Sequence, residues 1–184
     1  MISFCLWGLR ITIRFYFLAV LCLMSVLFPD GLGLWCAAMS LLHECGHLLA
    51  MASFGAMPRE LVFSYEGISI APSRKLLSPG REAVVLLAGS AFNFLMAAVL
   101  IPFPSYSLSS FLLGVFNLLP LSGLDGGKLL ILCCGRFFYV RGEAFCRGLS
   151  LIVGAALSFF ALWLFFRKGN FTLLLTVAYF LLLT

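Results

Sequence analysis

Charge is scarce in this chain. Of its 184 residues only 10% are Asp, Glu, Lys or Arg, while 63% are hydrophobic. A water-soluble globule cannot cover its surface with so few charged groups, so that class is excluded and an integral, polytopic membrane protein is indicated. Histidine is scarcer still, with two in the whole sequence. That excludes a His-rich loop and argues against a path of successive ion sites, the pattern of a membrane metal-ion transporter. The seven cysteines contain no Cys-x-x-Cys pair, and an odd number cannot all pair within the chain. Most lie in apolar surroundings, the pattern of small buried thiols and not of a disulfide framework. Net charge is +5, but the basic residues stand mostly singly between apolar runs, as orientation signals do, so no nucleic-acid partner is expected. No small-residue cleavage site follows the first apolar run, so 9–28 reads as a retained span and not a signal peptide. Long soluble stretches are also missing, which leaves any regulatory domain to a separate membrane protein.

What is present is one stretch dense in chemistry, Leu41-Leu42-His43-Glu44-Cys45-Gly46-His47-Leu48-Leu49-Ala50, which holds both histidines. On a helix, positions i and i+4 share a face, so His43 and His47 can offer imidazoles to one metal ion. Glu44 is turned about 100° away, a poor angle for a third ligand and a suitable one for taking a proton from a nearby water. The flanks, Leu34-Trp35-Cys36-Ala37-Ala38-Met39 and Leu48-Leu49-Ala50-Met51-Ala52, are those of a membrane span. Ionisable groups at membrane depth are costly and mark function by default.

Six apolar segments are expected to cross: 9–28, 32–54, 81–101, 106–120, 149–166 and a short one at 171–184. The mixed segment 128–148 is too charged to cross and reads as an interfacial helix. If the N-terminus is cytoplasmic, that side receives Arg10 and Arg14, then Arg59, Arg74, Lys75 and Arg81, then Lys128, Arg136, Arg141 and Arg147; only Arg167 and Lys168 fall outside. The positive-inside rule favours this topology. It places the His-Glu stretch in the cytoplasmic half of the second span. Between the second and third spans, 61–65 and 68–70 are β-rich, joined at Glu66-Gly67, and predict a short membrane-associated β-hairpin. The expected fold is therefore an all-α polytopic membrane protein of about six helices plus this hairpin. It forms a single domain over 1–184, with a catalytic core at about 32–128 and a C-terminal helical pair at about 149–184.

Two histidines do not complete a catalytic zinc site, which has three protein ligands and an open position. The acids available within or beside the spans are Asp125, Glu82 and Asp30. Asp30 falls on the far side of the membrane, and Glu82 beside Arg81 suits a helix start. Asp125 follows the helix-breaking run Asn117-Leu118-Leu119-Pro120-Leu121-Ser122-Gly123-Leu124 and precedes Gly126-Gly127. It reads either as a ligand or as an N-cap. Asn93 and Asn117 are amides in apolar spans, suited to interhelical hydrogen bonds or to binding a substrate backbone.

Taken together, His43-Glu44-Cys45-Gly46-His47, then Ala88-Gly89-Ser90-Ala91-Phe92-Asn93, then Asn117-Leu118-Leu119-Pro120 with Leu124-Asp125-Gly126 resemble the site-2 protease family of intramembrane zinc metalloproteases. The likeness covers about 34–128. The small size and early motif are most similar to the sporulation branch that processes a membrane-associated pro-sigma factor, although this chain ends without that branch's nucleotide-sensing domain. Ser90 stands where the family usually has proline. The resemblance implies His43, His47 and Asp125 as ligands of one Zn²⁺ per chain, Glu44 as catalytic base, and a membrane-associated protein as substrate. The setting it implies is a bacterial cell or forespore-type membrane, with the active site toward the cytoplasm. A metal-ion transporter and an inactive membrane scaffold are the competing readings; the intact motif set disfavours the second.

Overall fold

Strands come first, where the sequence is read as a span. Ile2-Ser3-Phe4-Cys5-Leu6 and Leu9-Arg10-Ile11-Thr12-Ile13 alternate large apolar residues with small or polar ones, the period of a pleated strand. A computed structural model of the chain describes residues 2–6, 9–28, 30–64, 67–70, 76–121, 123–137 and 142–168. In it β1 (Ile2–Leu6) and β2 (Leu9–Ile13) pair antiparallel, Ile2 opposite Ile13. Arg14 is extended, and α1 (Phe15–Leu27) follows with 13 residues. The expected span over 9–28 is thus a strand and then a short helix. Arg10, Thr12 and Arg14 all recur at period 2, a signal that the overall apolarity of the run conceals.

Two compact units divide the chain, 1–116 and 117–184. In the first, α2 (Leu32–Ser53) returns the chain to the sheet as β3 (Glu60–Ser64) and β4 (Gly67–Ile70). The strand order is β1-β2-β3-β4. β2 and β3 run parallel, with Ile11 opposite Leu61, and β3 and β4 antiparallel. A parallel pair needs a crossover, and α1 with α2 supplies it. The expected hairpin is present as β3–β4, but it forms half of a four-stranded mixed sheet. Across the parallel pair the buried Thr12 hydroxyl donates to Glu60 Oε1 at 2.8 Å.

Local chemistry sets the ends of α2. Gly31 precedes it at φ 80°, and Asp30 Oδ1 accepts from Leu32 N at 3.1 Å. At the far end Gly55 is left-handed at φ 62°, with Ala56 N donating to Met51 O and Gly55 N to Ala52 O. These two bonds are the glycine-dependent helix stop that satisfies otherwise orphaned carbonyls. α3 (Pro79–Val99) opens on Ser78 with proline in its first turn, the position where a missing N–H costs nothing. α4 (Pro104–Asn117) follows a tight turn, and Ser107 Oγ donates back to Ala97 O at 2.7 Å.

α2 and α3 pack backbone to backbone. A Cβ on Gly46 would stand 2.7 Å from the Ala88 carbonyl oxygen, so only glycine permits the approach, as at small-residue helix interfaces in membranes. The deepest side chains of this unit include Met39, Ser90, Asn93 and Ser110. Three of those four are polar, and the large apolar residues point outward instead: α1 buries none of its own, and Leu23, Val26, Leu87, Leu95 and Val99 are exposed. That inversion suits a lipid solvent and not water.

The second unit holds α5 (Asp125–Phe137) and α6 (Gly142–Lys168). Of the expected interfacial helix over 128–148, residues 128–137 lie in α5 and 142–148 in α6, while 138–141 lie outside the described residues; the expected fifth span, 149–166, lies inside α6. The expected sixth span, 171–184, lies outside the described residues. Among the described residues, two helices are long and apolar enough to cross a membrane, Pro79–Val99 and Ala144–Arg167. α2 matches them in length at 22 residues but carries His43, Glu44 and His47.

Candidate metal centre

Four residues apart on α2, His43 and His47 occupy the face that meets α3. The two residues are 3% and 6% exposed. Their centroids are 4.7 Å apart with planes at 87°, and the two Nε2 atoms approach to 3.1 Å. Two imidazole nitrogens each ~2.0–2.1 Å from one tetrahedral zinc would be about 3.3 Å apart. The pair is therefore close to ligand spacing.

α3 fixes that spacing in three ways. His47 Nδ1 donates to the Val85 carbonyl at 2.7 Å, which puts the ring proton on Nδ1 and leaves the Nε2 lone pair facing His43. A backbone acceptor of this kind orients most metal-binding histidines. One turn on, a Cβ at Gly89 would stand 2.6 Å from His47 Nε2 and 2.7 Å from His43 Nε2. Glycine thus leaves room at the two nitrogens that any other side chain would fill. One turn further, the fully buried Asn93 places its amide nitrogen 3.2 Å from His43 Nδ1. Two buried imidazoles, one with its proton held away from the partner ring and both beside a space that a methyl group would close, fit a borderline metal such as zinc.

The remaining predicted residues are placed as follows. Glu44 is half-buried on α2, directly after His43. Asn117 is the last residue of α4 and is half-buried. Asp125 is the first helical residue of α5 and is buried. Leu124 occupies the position before the helix, its carbonyl accepting from Lys128 N at 3.1 Å, so the capping place is Leu124's and not Asp125's. One carboxylate oxygen, Oδ1, accepts from Lys128 Nζ at 3.2 Å. The turn before α5 is tight: Leu121 N donates to Leu119 O and Leu124 N to Leu121 O, and a Cβ on Gly126 would collide with the Leu118 carbonyl. Ser150 of α6 pins that turn by donating to Pro120 O at 2.8 Å.

Within the first unit, then, His43, His47 and Asn93 come together. Two contributors escape a reading of residue types: the Val85 carbonyl, which has no side-chain signature, and the bare backbone at Gly89. The signal that points to Gly89 is its spacing, four residues from both Val85 and Asn93 on one face of α3.

No protein-family model matches the chain, and no curated protein matches it. Among solved structures, the site-2 protease from Methanocaldococcus jannaschii aligns with a TM-score of 0.69 over 97% of this chain and 91% of that one, at 21% sequence identity. The two chains share a fold, and the motifs that resemble site-2 proteases lie on elements of that fold: this chain has the fold of a site-2 protease.

Proposed function

We propose that the protein is an intramembrane metalloprotease in which His43, His47 and Asp125 hold one zinc ion and Glu44 is the catalytic base. The observation that carries this reading is the buried histidine pair, with Nε2 atoms 3.1 Å apart and one ring already oriented by Val85. The shared fold with a site-2 protease supports it. Bound zinc would supply Lewis acidity, lowering the pKa of a water to about 7. The Glu44 carboxylate takes the proton of the attacking water and returns it to the leaving amine of the cleaved peptide. Asp125 contributes an anionic oxygen that offsets the ion's charge in a low-dielectric surrounding. Asn117 is positioned at a helix end, where its amide can bind substrate backbone.

The substrate is a membrane-associated protein cut in or near its membrane segment, with a pro-sigma or anti-sigma factor as the class that suits a small enzyme of this type. The distribution of basic residues supports an N-terminus and a site that face the cytoplasm. The test is Glu44→Gln. Gln leaves the imidazoles intact but cannot take the proton, so zinc content should stay at the wild-type level while cleavage of a membrane-protein substrate in reconstituted vesicles disappears. Full cleavage by Glu44→Gln would sink the protease reading.

A further inference from the structure

Asn93 is fully buried and lies against a proposed ligand, yet only one end of its amide is in use. Nδ2 stands 3.2 Å from His43 Nδ1, while Oδ1 is buried with no hydrogen-bond partner. An amide nitrogen only donates. With Nδ2 toward it, His43 Nδ1 must accept, and a neutral ring then carries its proton on Nε2. The hydrogen bonds then run in one direction: Asn93 to His43, His43 Nε2 to His47 Nε2 at 3.1 Å, and His47 Nδ1 to the Val85 carbonyl at 2.7 Å. In that sequence His43 Nε2 is a donor and cannot ligate a cation. His47 Nε2 can.

The two rings therefore differ in what holds their protons. Val85 offers a carbonyl, which only accepts, so His47 is committed to the tautomer that binds metal. His43 faces an amide, whose two ends are nearly the same size and exchange by a half-turn about the last side-chain bond. With Oδ1 toward the ring, Nδ1–H donates, Nε2 presents its lone pair, and the oxygen gains the partner it lacks. We infer that Asn93 is a positioning residue for His43, its amide oxygen turning to accept Nδ1–H and so selecting the ring tautomer that binds the metal. This rests on the metal-site reading above. It gives Asn93 a role in the enzyme itself, distinct from contact with substrate.

The test compares wild type with Asn93→Asp and Asn93→Leu, both close in size to asparagine. Zinc affinity of the purified, metal-depleted full chain is measured by competition with a chelator, and folding is followed by helical circular dichroism. A carboxylate can only accept, so Asn93→Asp should bind zinc as tightly as wild type or more tightly. Leucine cannot accept, so Asn93→Leu should lose about 10–100-fold, the usual effect of removing such a partner. Nitrogen-15 spectra of labelled histidine should show His43 protonated on Nδ1 in zinc-loaded wild type and in Asn93→Asp. If both variants bind like wild type, or if Asp loses as much as Leu, the proposal is overturned. Should Asn93→Leu fail to fold, Asn93→Asp decides alone: equal or tighter binding supports the proposal and weaker binding overturns it. Wild type that binds zinc in this way but cleaves no substrate would sink the protease reading and leave the Asn93 assignment standing.

Discussion

The histidines and the aspartate reach their positions by different physical routes. His43 and His47 sit mid-helix, and their mutual placement follows from helix geometry once α2 forms, because i and i+4 share a face. What α3 adds is fine adjustment through a carbonyl, an amide and the absence of a side chain at Gly89. Asp125 instead opens a helix after a turn built from Pro120 and a glycine that fits under the Leu118 carbonyl. Its direction follows from that turn, which two backbone hydrogen bonds and the Ser150 clasp from α6 hold. A helix face is rigid and readable from spacing; a turn is set by several weak contacts and is not.

Substitution at two glycines should expose that difference, with the larger effect on the helix face. Gly89→Ala places a methyl 2.6–2.7 Å from ring atoms of both histidines, well inside van der Waals contact. Neither ring can yield without losing its partner on α3. Alanine is the better helix former by roughly 1 kcal/mol, so the fold should persist. We expect zinc affinity to fall more than about 100-fold, since both proposed ligands are displaced and one displaced supporting group alone costs about 10–100-fold. Isothermal titration with zinc, alongside thermal melting, would check this. Near-wild-type affinity would mean that the metal does not lie between the two Nε2 atoms.

Gly126→Ala attacks the turn. Its methyl would meet the Leu118 backbone, which cannot rotate away as a side chain can, so the turn must open. The cost should resemble overpacking, about 1–3 kcal/mol of stability, with Asp125 swung off its direction. Both melting temperature and zinc affinity should drop, in contrast to Gly89→Ala, which should spare the first. Gly148→Ala in α6 is the control: nothing lies within 4 Å of its added methyl, and it should be neutral or slightly stabilising.

The same contrast explains what was legible in the sequence. The histidine pair and the helices at 81–101 and 106–120 follow from hydrophobic runs, breakers and spacing, and α3 and α4 lie within a few residues of those limits. The hairpin at Gly67 was visible because β-rich segments flank a turn signal. Its pairing with Leu9–Ile13 was hidden, since a parallel pair between segments about fifty residues apart in sequence leaves no local mark. The strand at 9–13 was concealed by its own apolarity, which merges with α1 when hydrophobicity is averaged and separates only when alternation is counted. The Val85 carbonyl could not have been foreseen, because every residue carries one.

The smallest expected change in zinc binding concerns the ion pair beside Asp125, where two influences oppose each other. Lys128 Nζ lies 3.2 Å from Oδ1, and the lysine side chain is 55% exposed whereas that of Asp125 is only 10% exposed. As a neighbouring cation, Lys128 competes with a metal for the carboxylate, so Lys128→Ala would tighten zinc binding. As a donor to Oδ1, it holds the carboxylate plane in one orientation, so its removal would weaken binding. The exposure decides between them. Water and salt screen the ammonium's charge, and exposed pairs are worth only about 0.2–1 kcal/mol, but a hydrogen bond's direction is not screened. Orientation should therefore win narrowly. Lys128→Ala is expected to lower zinc affinity by no more than about 5-fold, the equivalent of roughly 1 kcal/mol. The chelator competition should be run at low and high salt. A tighter site at low salt that returns to the wild-type value at high salt would instead assign Lys128 to charge competition.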